Sequence, residues 1–196
     1  MKNQGVIQLG GEVGHSFLSK KIDVSLTADF SSISNPYVFN GNTWVNNTGS
    51  FNFYAFSLKS AMEFGVFNLN PTFIYTLSTA GLLPELQAYG RIFIKGKLFK
   101  AKKLEALVGV YVSYVSKYNN RYYISSMDTY NYSSVDSYAG MVNLHAFLSL
   151  GISEFRFFIR YENIGYFWSD KTTDIVSGYP ISPPRLRIGL TWDFFN

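Results

Sequence analysis

The 196-residue chain contains no cysteine. Disulfides, thiol nucleophiles and thiolate-held metals are therefore excluded, and the sequence carries no covalent staple. Histidine is nearly missing as well, with only His15 and His145. That leaves little of the side chain most used in acid–base catalysis and metal binding. Charge is also scarce. Asp, Glu, Lys and Arg make up 15% of the residues, against about 25% in an ordinary soluble domain. No apolar run approaches the roughly 20 residues of a membrane-crossing helix, and mean hydropathy is +0.02. Aromatics, in contrast, reach 18%, with 18 Phe and 15 Tyr. A chain this aromatic and this poor in charge, with no long apolar run, suits a protein whose outside does not face water.

The apolar residues are distributed by alternation. From Arg185 to Phe195, Leu186, Ile188, Leu190, Trp192 and Phe194 alternate with Arg185, Arg187, Gly189, Thr191 and Asp193. Phe155, Phe157, Ile159 and Tyr161 alternate in the same way with Arg156, Phe158, Arg160 and Glu162. A strand sends successive side chains to opposite faces, so each segment has one apolar and one charged face. Nine segments read as strands: 5–17, 22–34, 50–58, 63–77, 86–99, 103–117, 139–151, 155–162 and 185–195. Pro71 marks a bulge or weak point in the fourth. Helical spacing is nowhere sustained.

Connections of two lengths separate these strands. Short turns are expected at Ser19–Lys21, Lys59–Ala61, Lys100–Lys102 and Gly151–Ser153, and long loops at 35–49, 78–85, 118–138 and 167–184. The two lengths alternate strictly. Apolar residues on one face, guanidinium and carboxylate groups on the other, and every long loop at one end fit an up-and-down antiparallel transmembrane β-barrel. A soluble β-domain shares the period but would have to bury several large aromatic faces in one core. The barrel reading puts Phe155, Phe157, Ile159, Leu186, Ile188, Leu190 and Trp192 against lipid. It puts Arg156, Arg160, Glu162, Arg185, Arg187 and Asp193 in the lumen, where they either line a pore or form an internal ion-pair network. Tyr161, Tyr166, Trp168, Trp192 and Phe194 fall near strand ends as an interfacial girdle.

Residues 1–196 form a single barrel domain or barrel segment. If nine strands alternate, the first and last run in the same direction, whereas bacterial barrels use even antiparallel counts. The opening Met-Lys-Asn-Gln-Gly leads straight into a strand without a secretory apolar stretch. Both points favour the C-terminal part of a larger barrel. Leu98-Phe99-Lys100, Leu107-Val108-Gly109-Val110-Tyr111, Val135-Asp136 and Phe158-Ile159-Arg160-Tyr161-Glu162-Asn163 lead to Tyr179-Pro180-Ile181 and the final Arg185-to-Asn196 segment. In these stretches the chain resembles the C-terminal portion of the putative-porin family of Bacteroidota outer membranes. The resemblance implies an outer-membrane location, a lipid environment, insertion by the outer-membrane machinery through the C-terminal strand, and passage of small polar solutes. It carries over no catalytic residue.

Other functions have little support in the residues. Asn143, His145 and Ser149 share a face but stand about 7 and 13 Å from the histidine along the strand, too far for mutual hydrogen bonds. No His/Asp/Glu spacing repeats, so no metal or cofactor is expected and the chain does not read as an enzyme. The net charge of +4 resides partly in Lys20-Lys21 and Lys100 to Lys103, which read as solvated turns and not as a nucleic-acid surface. The alternative to a porin is a non-transporting structural or adhesive barrel that binds a partner through its long loops.

Overall fold

The computed structural model describes residues 3–19, 21–39, 44–46, 49–78, 83–99, 103–124, 129–138, 140–168, 174–176 and 179–192. Nine strands form one antiparallel sheet: β1 (Gly5–Phe17), β2 (Ile22–Ser34), β3 (Ser50–Phe64), β4 (Phe67–Ser78), β5 (Leu86–Leu98), β6 (Leu104–Val115), β7 (Met141–Ile152), β8 (Phe155–Glu162) and β9 (Arg185–Trp192). Each pairs with its neighbours in sequence, giving a nine-stranded meander with β1 and β9 at the two ends. Every residue of β1 is exposed, and nearly every residue of β9.

Register turns the one-strand patterns into continuous bands. Directly paired residues share a face, so Ile188, Ile159, Leu148, Val108, Ile94 and Phe67 form one apolar row across six strands. A second row runs Leu186, Tyr161, Ala146, Val110, Ile92, Leu69 and Met62. These side chains are not packed under anything. Of the aliphatic and aromatic residues described, Ile181 alone is buried, while Leu186, Ile188 and Leu190 are each about 60% exposed. The accessible surface is 13266 Å², against roughly 9,400 Å² for a soluble monomer of this mass. Among the described residues no second sheet of comparable size covers the first, so the sandwich alternative has no core to stand on. The apolar face requires hydrocarbon. Purified protein should therefore stay dispersed only in detergent or lipid, and a folded, monodisperse, detergent-free monomer in ultracentrifugation would overturn that expectation.

Four details differ from the sequence expectation. Lys59–Ala61 is not a turn, because β3 continues through it to Phe64 with Lys59 opposite Ser25 and Thr72. Lys59 keeps to the polar face, but Ser60 falls on the apolar face between Leu58 and Met62, and a polar pair of this kind is indistinguishable from a turn when the register is unknown. The reversal lies at Gly65–Val66, between the paired Phe64 and Phe67, with Gly65 at φ 66°. A two-residue hairpin needs positive φ at its first position, which glycine adopts without strain. Pro71 makes no bulge. It pairs with Gly90, and the β3–β4 register is the same on both sides of it. The turn after β7 is Ser153–Glu154, beginning two residues later than expected, with Ser153 at φ 51°. Finally, three of the four long connections contain their own small hairpins, Tyr37–Phe39 with Trp44–Asn46, Tyr118–Ile124 with Thr129–Tyr138, and Asp174–Val176 with Tyr179–Pro180. The expected turn at Lys100–Lys102 lies outside the described residues.

Candidate functional site

The polar face has its own rows. Arg91 of β5 pairs with Tyr111 of β6, which pairs with His145 of β7. Neighbouring strands are about 4.8 Å apart, so this row brings Arg91 within about 10 Å of His145 although 54 residues separate them in the chain. Beside it lies β8, with Arg156, Phe158, Arg160 and Glu162 on the same side. Together these residues border a cavity of about 540 Å³.

Two of the charges would oppose each other if left alone. Arg160 and Arg187 are direct cross-strand partners, and like charges in that position repel. They are drawn apart by different neighbours. Arg187 Nε donates to Glu162 Oε2 at 2.8 Å, closing an ion pair in which Glu162 is mostly buried. The guanidinium carbon of Arg160 sits 5.4 Å from the centre of the Phe158 ring, a cation–π geometry. Phe158 can lie flat there because its cross-strand partner is Gly189; any side chain at 189 would collide with the ring. Lower on the same face, Lys95 Nζ meets Glu105 Oε1 at 3.1 Å.

Asn143 and His145 both hold Asn163. His145 Nδ1 accepts the backbone N–H of Asn163 at 3.2 Å, and Asn143 Nδ2 donates to Asn163 Oδ1 at 3.2 Å. Asn163 is left-handed (φ 60°) and opens a single 3-10 turn, Ile164–Phe167. Gly165 of that turn is buried against β7, where a Cβ would come within 2.5 Å of the Val142 carbonyl oxygen. The pair thus anchors the chain leaving β8 to the neighbouring strand.

The sequence-expected residues separate by face. Phe155, Phe157, Ile159 and Tyr161 pair with Trp192, Leu190, Ile188 and Leu186 on the apolar side. Phe155 and Trp192 stack at 4.6 Å. Arg156, Arg160 and Glu162 border the cavity, and Arg185 and Arg187 stand opposite Glu162 and Arg160 on β9. Asp193 and Phe194 lie outside the described residues. His145 reads from the sequence as a lumen-facing polar residue and Phe158 shares the charged face of its strand, whereas Arg91 and Tyr111 were not singled out as lining residues. Arg91 carried a signal, since it alternates with Ile92 and Ile94 as Arg160 does with Ile159 and Tyr161. Its neighbours across the sheet follow only from register.

The sequence matches the model of a family described as "Putative porin" over residues 1–196. The chain belongs to that family. Solved structures similar to this putative porin include the complex of FpvAI with pyocin S2, with a TM-score of 0.64 at 14% identity. Others are Pseudomonas aeruginosa FpvA bound to heterologous pyoverdines, at 0.63 and 11%, and the ferripyoverdine receptor of the Pseudomonas aeruginosa outer membrane bound to ferripyoverdine, at 0.62 and 13%. Each covers 95% of this chain, and this chain spans 27% of each of theirs. Among curated proteins, none matches the sequence. At these identities the structural likeness concerns the fold: the sheet is the wall of an outer-membrane β-barrel. With the family, it places the protein in the bacterial outer membrane.

Proposed function

We propose that this protein supplies part of the wall of a porin, through which small polar solutes diffuse passively across the outer membrane. The observation that carries this reading is the pair of opposed faces. One presents uncovered hydrocarbon side chains across the whole sheet. The other bears Arg91, Lys95, Arg156, Arg160, Arg185 and Arg187 beside an open cavity. Charged side chains on the inner side of a barrel belong in water, and there they set the field felt by a permeating solute. No catalytic role is assigned.

In this reading the nine strands are one sector, the C-terminal one, of a larger barrel. β1 and β9 run in the same direction, and antiparallel closure between them takes an odd number of further strands. Membrane lipid contacts the apolar face, and β9 is the strand that the insertion machinery would engage by edge pairing.

Reconstitution of the full-length barrel, of which these strands are a sector, into planar bilayers tests the pore. Folded protein should give discrete, ohmic conductance steps. A protein that inserts, folds and passes no current would remove the porin reading and favour the barrel whose long loops bind a partner.

A further inference from the structure

We infer that the cavity between β5 and β8 is a binding subsite for small multivalent organic anions on the path of permeating solutes. The inference rests on the porin reading and names the class of solute that the wall would hold. Three guanidiniums, Arg91, Arg156 and Arg160, border this cavity against one carboxylate, Glu162. That carboxylate is already committed to Arg187 at 2.8 Å. Glu105 and Glu154 border a neighbouring cavity that Arg156 also touches, and Glu105 is held by Lys95 at 3.1 Å. Among the described residues, Arg91, Arg156 and Arg160 have no carboxylate in an ion pair.

The chemistry of these groups narrows the ligand. Guanidinium is weakly hydrated, permanently charged and shaped to grip carboxylate or phosphate oxygens two at a time. Arg156 and Arg160 flank Phe158 on one strand, and Arg91 borders the cavity from β5, with Tyr111 as its cross-strand partner. Tyr111 and His145 face each other at 5.6 Å between ring centres. The cavity thus combines three anion-binding forks with aromatic surface for a carbon skeleton. Its volume of about 540 Å³ is that of a small-molecule site and far exceeds what a single halide needs. A solute with two or three acid groups can meet several forks at once, whereas a neutral sugar meets none.

Calorimetric titration of citrate into the folded protein in detergent tests the site without requiring current. Saturable binding is expected, with glucose as an inactive neutral control. Arg91→Gln and Arg156→Gln should each weaken citrate binding by about tenfold or more, the effect of losing one charge-assisted contact. Arg91→Lys, which keeps the charge and loses the fork, should fall between. Lys59→Gln removes the same charge from the same face, beside Ser25 and Thr72 and away from the cavity, and should change binding less than twofold. Circular dichroism restricts the comparison to folded variants. Absence of saturable citrate binding, glucose binding of equal strength, or equal losses for Lys59→Gln and Arg91→Gln would overturn the inference. Conductance without citrate binding removes the subsite alone; citrate binding by a non-conducting protein supports the subsite and removes the pore.

Discussion

Ile188→Arg is expected to destabilise the folded protein in lipid vesicles by about 2–4 kcal/mol, measured as a lowered urea midpoint at unchanged slope. Ile188 is 62% exposed and lies in the row with Ile159, Leu148, Val108 and Ile94, which crosses the middle of the sheet. In a bilayer that exposure is to acyl chains, where a guanidinium has no water to keep and no partner to gain. The matched control is Arg156→Gln on the opposite face. Arg156 is exposed and holds no ion pair among the described residues, so its loss should stay within about 0.5 kcal/mol. Arg187 would be a poorer control, because its removal strands the mostly buried Glu162 carboxylate. Equal destabilisation by Ile188→Arg and Arg156→Gln would mean that the two faces do not see different solvents.

That contrast between faces was legible from residues 155–162 and 185–192 alone, because a strand's period of two needs no knowledge of its neighbours. The same holds for the alternation of short and long connections. What was not legible is whatever depends on register. Lys59 and Ser60 read as a turn because a polar pair looks the same inside a strand as at its end. Gly65, the glycine between Phe64 and Phe67, was the better signal. The arginines appeared equivalent in the sequence, as either lining groups or an ion-pair network. Register divides them: Arg187 is paired with Glu162, while among the described residues Arg156 and Arg160 have no carboxylate in an ion pair. Arg91 joins them only because Tyr111 and His145 fall opposite it in successive ladders.

This division makes the reversal potential in a salt gradient a signed test of the pore wall. Arg156→Gln with Arg160→Gln should shift the reversal potential toward cations, since two uncompensated positive charges leave the passage. One charge at 8 Å contributes about 0.5 kcal/mol even in water-like surroundings, roughly a twofold change in local ion concentration. The double variant should then lower local anions and raise local cations by about four- to fivefold each, a fall of about twentyfold in the anion-to-cation permeability ratio at low salt. Glu162→Gln should move it the other way, because Arg187 loses the carboxylate that neutralises it. Both shifts should shrink as ionic strength rises from 0.1 M to 1 M, where the screening length falls from about 10 Å to about 3 Å. Shifts of opposite sign that fade together with salt locate these groups on the permeation path. Normal conductance with no shift in either variant would leave the pore standing and take Arg156, Arg160 and Glu162 off its wall.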